Sequence, residues 1–143
     1  MLRMQPLLLL GLAVAGVALA APSTKPVTVK VSTGLGGKLV VNSVGLTLYH
    51  YTDEAKGKIG CTGSCKSFWP PEMAGAAKPV AGPGINAAKL GTIKRPDGGL
   101  QVTYNGLALY RYAGDKKPGD TKGQGVESSW YAVTPAGTIT RPR

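Results

Sequence analysis

The two cysteines, Cys61 and Cys65, are the residues with the clearest capacity for chemistry in this chain. An even pair of cysteines in an oxidising compartment favours a disulfide, and closing so short a loop stabilises the fold by about 2 kcal/mol in the chain-entropy account. A redox-active dithiol fits less well. Three residues separate the cysteines where thioredoxin-type motifs have two, and no neighbouring histidine is present to lower a thiol pKa. We therefore predict a structural disulfide.

Metal binding is the second chemistry that these cysteines allow. Two thiolates do not complete the tetrahedral site that zinc requires, whereas copper(I) accepts thiolate, imidazole and thioether ligands. The candidate copper ligands in this chain are Cys61, Cys65, His50 and Met73. Because this weak set is assembled from single residues and matches no metal-binding motif, we predict no metal site and no cofactor.

Catalytic chemistry has few possible carriers. His50 is the single histidine, so a Ser-His-Asp triad has one possible base, and no Gly-x-Ser-x-Gly surrounds any serine. Glycosidase chemistry needs two facing carboxylates. The candidates Glu54, Asp115 and Asp120 are not paired by any motif. We predict no catalytic residues and expect that the protein is not an enzyme.

An internal repeat is the most prominent pattern in the sequence. Residues 45–54 return as residues 106–115, which is 61 positions later, and Trp69 falls on Trp130 at the same spacing. A constant offset over this distance predicts two copies of one structural unit. The residues of the repeated motif are Tyr49, Tyr51, Glu54, Trp69, Tyr110, Tyr112, Asp115 and Trp130. We interpret them as scaffold, with each acid accepting a hydrogen bond from a buried tyrosine.

Short strands must position these residues. The chain has 21 glycines and 11 prolines, and its β-branched and aromatic runs are short, which is typical of antiparallel β structure. We predict strands at 27–32, 38–41, 46–51, 100–104, 107–112, 130–134 and 138–140. Asn105-Gly106 predicts a type I′ hairpin turn, and Gly36-Gly37 a turn of the same kind. Alternation places Leu48 on one face of its strand and Tyr49 on the other.

The position of His50 gives a further prediction. His50 in the first copy corresponds to Arg111 in the second. A position that takes His in one copy and Arg in the other is typical of a solvated strand residue. We therefore expect both side chains to face water.

The predicted fold is a compact antiparallel all-β domain with an internal pseudo-two-fold repeat, built either as a sandwich or as a small barrel-like arrangement. The domain covers residues 21–143. Its repeats span about 27–72 and about 91–140, and an Ala/Gly/Pro-rich connection joins them. A short turn of helix is expected in that connection, near residues 86–89.

The N-terminus has the pattern of a signal peptide over residues 1–20. Arg3 precedes an apolar stretch, and Ala18-Leu19-Ala20 is a cleavage site of the A-x-A type. As a helix, residues 7–21 would rise about 22 Å, which is short of the ~30 Å hydrocarbon core of a bilayer. We predict cleavage near Ala20, a periplasmic or secreted location, and no transmembrane segment in the mature chain.

The charge of the chain bears on its partners. The formal net charge is +10, and the basic residues are scattered along the sequence. A nucleic-acid binder usually clusters them and interleaves aromatic residues, so nucleic acid is not an expected partner. A basic surface instead favours attraction to anionic envelope polymers, and an envelope protein is the other partner considered.

The motifs resemble those of a family of secreted bacterial proteins and lipoproteins built from a tandem repeat, whose hallmark is Tyr-x-aromatic-x-x-Asp. Residues 110–115 match the hallmark, and residues 49–54 match it with Glu54 in place of Asp. Further matches are Cys61-Thr62-Gly63-Ser64-Cys65, Trp69-Pro70-Pro71, Arg95-Pro96-Asp97-Gly98 and Lys117-Pro118-Gly119-Asp120. The resemblance implies a secreted tandem repeat of unknown function, although the lipobox of many members is missing.

The function predicted from the sequence is a secreted or periplasmic, non-catalytic module of the cell envelope with a binding or structural role. The signal peptide, the duplicated scaffold and the lack of a catalytic set favour it. The alternative is a redox or copper-handling accessory protein that uses the Cys61/Cys65 pair.

Overall fold

The computed structural model describes residues 11–16 and 25–142. Most of the predicted signal peptide, including its cleavage site near Ala20, lies outside the described residues. Within them, no helix has both the length and the apolar character needed to cross a membrane.

The chain is built mainly from short strands. The strands are β1 (Thr28–Gly34), β2 (Gly37–Val41), β3 (Tyr49–Tyr51), β4 (Val80–Ala81), β5 (Leu90–Lys94), β6 (Leu100–Tyr104), β7 (Leu107–Ala108) and β8 (Trp130–Ala132). One α-helical turn, α1 (Cys65–Phe68), and two 3-10 helices (Ala87–Lys89 and Val126–Ser128) complete the elements. The first of these 3-10 helices confirms the helical turn expected in the connection.

Three sheets organise the strands, in the orders β2-β1-β4, β3-β8 and β5-β6-β7. They confirm the all-β class, but the described strands do not close into a barrel, so the barrel-like alternative is wrong for them. The purely antiparallel expectation also needs correction, because β1 and β4 pair in parallel. β4 belongs to the Ala/Gly/Pro-rich connection, where we predicted no strand. The sandwich arrangement stays a prediction.

Two hairpins close through two-residue turns with positive φ. Asn105 and Gly106 have φ values of 52° and 75°, as the predicted type I′ turn requires. The β1–β2 turn lies one residue earlier than predicted. Gly34 pairs with Gly37, and Leu35 and Gly36 take φ values of 52° and 76°. Leu35 is an unfavourable residue for that conformation, which is why the sequence pointed to the glycine pair.

The repeated strands are shorter than predicted. β3 begins at Tyr49 and β7 ends at Ala108, and beyond these limits the pairing continues only as isolated bridges, such as Tyr49 with Tyr110 and Pro71 with Tyr110. On one side of Tyr110, regular pairing is interrupted because Pro71 has no backbone N–H to donate. Residues 138–140 likewise contribute one bridge, at Ile139, where we predicted a strand.

Two buried clusters form the core. The aliphatic cluster consists of Val29, Val40, Leu48, Ala74, Val102, Tyr104, Leu109 and Val133. The aromatic cluster consists of Leu39, Tyr49, Cys61, Trp69, Ala108, Tyr110, Trp130 and Ala132. Leu48 and Tyr49 therefore lie on opposite faces, as strand alternation predicts. The aromatic cluster carries the repeated motif and positions the site described next.

Candidate functional site

The first tyrosine of each motif contacts its counterpart in the other copy. The backbone N–H of Tyr49 donates to the carbonyl of Tyr110 at 2.8 Å, and the N–H of Tyr110 donates to the carbonyl of Tyr49 at 2.9 Å. Equivalent bonds recur on either side at the 61-residue offset. Thr52 donates to Ser129 and Ala113 to Phe68, each at 2.8 Å. The two motifs therefore meet along one antiparallel seam.

The acids of the motif cross this seam. The hydroxyl of Tyr49 donates to Asp115 at 2.7 Å, and the hydroxyl of Tyr110 donates to Glu54 at 2.8 Å. Burial, followed by the hydrogen bond and the charge of the acid, raises the pKa of Tyr49, and burial raises that of Tyr110, so both hydroxyls stay protonated donors. The acid of each motif thus accepts a hydrogen bond from the first tyrosine of the other motif.

Each acid also holds its own loop. Glu54 Oε2 accepts from the backbone N–H of Gly60 at 2.8 Å, and Asp115 Oδ1 accepts from that of Lys122 at 2.9 Å. The substitution of Glu for Asp therefore preserves both contacts of the acid. The extra methylene leaves Glu54 Oε1 buried, with no hydrogen-bond partner among the described residues.

The other motif rings form a continuous stack. Trp69 and Trp130 lie face to face, with ring centroids 3.8 Å apart and planes 1° from parallel. Tyr51 stacks on Trp130 at 4.6 Å, and Tyr112 packs on Trp69 at 4.6 Å. The second tyrosine of each motif therefore covers the tryptophan of the other copy. Contacts of this kind contribute about 0.5–1.5 kcal/mol each beyond their burial.

A cleft of about 330 Å³ opens onto this stack, and we call it the aromatic cleft. Its lining residues are Tyr51, Ser64, Cys65, Phe68, Trp69, Tyr112, Val126, Glu127 and Trp130. The tryptophans are buried, whereas Phe68, the single phenylalanine of the chain, is 64% exposed beside the cleft. An apolar cavity of this size with a few polar groups at its edge is the usual form of a small-molecule site.

The rim of the cleft is strained on one side. Glu127 and Ser128 both have φ of 54°, the left-handed conformation that residues with a Cβ adopt at a cost of roughly 1–3 kcal/mol. Burial and the charges of Asp53, Glu127 and Glu54 raise the pKa of Tyr51. The cleft therefore has a negative rim on a protein whose net charge is positive.

The cysteines form the predicted disulfide, with Cα atoms 5.4 Å apart. Cys61 is fully buried, while Cys65 is partly exposed in the wall of the aromatic cleft. The Arg95 guanidinium donates to the Cys61 carbonyl at 2.8 Å and to Gln101 at 2.6 Å. The sequence analysis missed this buried arginine. The sole indication of it was the match of Arg95-Pro96-Asp97-Gly98 to the family pattern.

His50 is buried, which corrects the expectation of a solvated position. Its Nδ1 lies 2.9 Å from the Ala108 carbonyl and 3.7 Å from Glu54 Oε1. Burial lowers the pKa of His50 and raises the pKa of Glu54. Its counterpart Arg111 is partly exposed, with its Nε 3.4 Å from Glu72. His50 lies in β3 against the carbonyl of Ala108, whereas Arg111 lies beyond the end of β7 beside Glu72, and a sequence comparison of the copies does not show this difference.

The four copper candidates do not form a thiolate site in this structure. Cys61 and Cys65 are joined to each other, and His50 contacts Ala108 and Glu54. Met73 is partly exposed and bridges to Gln101. Over the described part of the chain, no group of three or more His, Cys, Asp or Glu residues is placed to hold a metal ion.

The polar loop at residues 115–126 is tied to the scaffold. The amides of Lys116 and Lys117 donate to Asp120, and the amide of Gly123 donates to the hydroxyl of Tyr49. Asp115 likewise accepts from the amide of Lys122, so both acids of this loop hold its backbone.

A wider depression of about 980 Å³ lies between the β1–β2 turn and residues 134–142. Its described lining has no aromatic ring and no acid, and it consists largely of Gly, Pro, Thr and Ala. We therefore take the smaller aromatic cleft as the candidate site, since it combines apolar rings with a charged rim.

Residues 91–134 match the Lipoprotein_15 family, described as a secreted repeat of unknown function. This confirms the resemblance read from the motifs over that segment, which lies within the second predicted repeat. The description of the family as secreted also agrees with the predicted extracytoplasmic location. The chain matches no curated protein and no solved structure.

Proposed function

We propose that this chain is a secreted, non-catalytic binding module of the cell envelope, and that its ligand site is the aromatic cleft. The observation that carries the proposal is the open cleft of about 330 Å³ beside the exposed Phe68. Single exposed apolar residues are common, but Phe68 adjoins an apolar cavity, and contiguous apolar surface of this kind is typical of binding sites.

We further propose that the two copies are related by a pseudo-two-fold axis that passes between Trp69 and Trp130, with the cleft on this axis. The reciprocal bonds of Tyr49 and Tyr110 support it. So does the cleft lining, which contains three pairs at the 61-residue offset: Tyr51 with Tyr112, Cys65 with Val126, and Trp69 with Trp130.

The residues that differ between the copies then mark what is specific to this site. Phe68 corresponds to Ser129 and Glu127 corresponds to Lys66. Duplication accounts for the paired rings, but it does not account for an exposed phenylalanine or for a strained glutamate. These two residues therefore carry the binding proposal.

The basic surface has a separate role in this proposal. It attracts the module to anionic envelope polymers through long-range electrostatics, which weaken as salt is raised. The cleft then binds the ligand at short range. Association with polymer should therefore depend on salt, while occupancy of the cleft should depend on Phe68.

The test is to incubate the mature protein with fractions of envelope polymers and envelope small molecules and to follow tryptophan fluorescence. Both tryptophans line the cleft, so occupancy should change their emission. Phe68→Ser should reduce the response. Val44→Ser is the matched control, since Val44 is equally exposed, at 64%, and does not line the cleft. No response to any fraction, or an equal response from Phe68→Ser, would contradict the proposal.

The second candidate function is thiol–disulfide redox chemistry, favoured by the partial exposure of Cys65 in the cleft wall. It requires a disulfide that cycles in the native protein. Intact mass should be recorded for protein taken from its own compartment, with and without thiol alkylation. Alkylated cysteines would support redox cycling. A uniformly oxidised protein would contradict it, and the binding module would then be the remaining candidate.

A further inference from the structure

The aromatic cleft meets the edges of the stacked indole rings, because their faces are covered. Trp130 covers one face of Trp69 and Tyr112 the other, while Tyr51 covers the second face of Trp130. Both indoles are almost fully buried, with 5% of Trp69 and 1% of Trp130 exposed. The small surface that they present to the cleft therefore belongs to ring edges, where the hydrogens carry partial positive charge.

The indole N–H groups are the polar atoms of these edges. A tryptophan has one donor and no acceptor, and a buried one usually finds a partner. Among the described residues, neither indole nitrogen forms a hydrogen bond, yet the enclosed polar atoms that lack a partner are Glu54 Oε1, Arg111 Nε and Thr140 Oγ1. Neither indole nitrogen is therefore sealed in the core, and both reach open space.

The open space that the two indoles share is the aromatic cleft. Trp130 exposes so little of its surface that an accessible N–H leaves almost none of the ring exposed elsewhere. The proposed pseudo-two-fold axis between the parallel rings places the N–H of Trp69 on the same side, next to that of Trp130. The cleft thus holds two adjacent donors that have no acceptor among the described residues.

The charges around these donors select the kind of acceptor. Positive ring edges disfavour a cation. Glu127 lines the cleft, and its charge acts with those of Asp53 and Glu54 on the hydroxyl of Tyr51, so the negative rim disfavours an anion. A neutral oxygen acceptor satisfies the N–H groups without either repulsion. The exposed Phe68 offers apolar surface beside them.

We infer that the aromatic cleft binds a neutral carbonyl compound with an apolar body, whose oxygen accepts from the indole N–H groups of Trp69 and Trp130 while Phe68 covers the apolar part. The inference rests on the proposed function, since it names the ligand class of the same cleft. A carbonyl oxygen has two lone pairs, so one ligand atom can accept from both donors.

The first experiment follows the two indole N–H signals by nuclear magnetic resonance during titration with cyclohexanone and caprolactam. Methylenecyclohexane, in which CH₂ replaces the ketone oxygen, is the apolar isostere. The carbonyl compounds should shift both N–H signals downfield, as a new hydrogen bond does, and the isostere should not. Equal shifts from the ketone and its isostere would overturn the inference.

The second experiment removes the donors and keeps the rings. Benzothienylalanine, with sulfur in place of the indole N–H, replaces both tryptophans of the chain. Affinity for the carbonyl compounds should fall about fivefold or more, because two hydrogen bonds are lost, while affinity for methylenecyclohexane stays the same. Equal changes for both would contradict the inference. Circular dichroism verifies folding, and the result with the natural protein decides if the substituted one does not fold.

Glu127→Gln tests the exclusion of anions. Cyclohexanecarboxylate should bind the wild type more weakly than cyclohexanone does, and Glu127→Gln should tighten its binding about threefold or more. Val44→Lys changes the net charge by the same amount at an exposed position that does not line the cleft, and it should have no such effect. Tighter binding of the carboxylate than of the ketone to the wild type would overturn the neutral class.

The outcomes separate this inference from the proposed function. If the carbonyl compounds do not bind, while envelope components still change the fluorescence in a Phe68-dependent way, the carbonyl inference is overturned and the binding module stands. If neither the carbonyl compounds nor envelope components bind, both are overturned.

Discussion

The hydrogen bonds that the acid of each motif accepts explain why an acid recurs at this position. Glu54 accepts from the Tyr110 hydroxyl and from the Gly60 amide, and both contacts would be lost together if the carboxylate were removed. A buried carboxylate without donors is costly, because the interior does not replace its hydration. The Tyr-x-aromatic-x-x-acid pattern is therefore a structural clasp between the copies.

Tyr110→Phe should lower the free energy of unfolding by about 2 kcal/mol, since a hydrogen bond to a buried charged group is lost. Urea unfolding measures this loss. In the double variant with Glu54→Gln, the two changes should be non-additive by about 1 kcal/mol, because the residues are in direct contact. Strict additivity of the two losses would contradict the clasp.

His50 should make stability depend on pH near neutrality. Burial lowers the pKa of His50 in the folded protein, so the unfolded chain takes up a proton first, near pH 6.5, as pH falls. The free energy of unfolding should then decrease below pH 6.5 by up to about 1.4 kcal/mol per pH unit, until His50 also protonates in the folded state.

The control for this pH effect is His50→Asn, which retains a donor for the Ala108 carbonyl and does not titrate. Glu54 acts in the opposite direction, because burial raises its pKa and the folded protein then gains stability as pH falls. The difference between wild type and His50→Asn isolates the histidine. An identical pH dependence in the two proteins would contradict the burial of a neutral His50.

At the scale of elements, the stacked rings depend on a close backbone approach by the loop that follows the second motif. A Cβ built on Gly123 would lie 2.9 Å from Trp69 Cη2 and 2.9 Å from Tyr49 Cζ. Neither ring can shift without disturbing the stack, since Trp69 is pressed against Trp130. The loop therefore needs glycine at this position for space.

Gly123→Ala should consequently destabilise the protein by about 1–3 kcal/mol, the usual cost of overpacking a core. Gly37→Ala is the matched control. A Cβ there meets no atom within 4 Å, and φ at Gly37 is not positive, so its effect should stay within about 0.5 kcal/mol. Thermal unfolding of the two variants would measure the difference. Equal stabilities would mean that the loop does not pack on the rings as described.

The elements also show which features the sequence could predict. The opposite faces of Leu48 and Tyr49 and the turn at Asn105 follow from local patterns, and these predictions were confirmed. The burial of His50 and the parallel strand β4 did not follow, because both depend on which distant segment covers them. A periodic pattern in one strand carries no information on that partner.

The whole molecule combines two features that the sequence presents separately. The chain is basic, with a formal net charge of +10, while the aromatic cleft has an acid, Glu127, at its rim. The cleft itself could not be predicted, since Phe68 and Glu127 belong to no motif and lie 59 positions apart. Folding brings them together because α1 and the 3-10 helix Val126–Ser128 both lie beside the stacked tryptophans.

The most direct test of the account is nuclear magnetic resonance of the two indole N–H groups during titration with envelope small molecules. The chain has two tryptophans and both line the cleft, so their signals report on this site alone. The account predicts that both signals shift together, with saturation, and that Phe68→Ser weakens the effect while Val44→Ser does not. Binding that shifts backbone signals elsewhere and leaves both indole signals unchanged would contradict it.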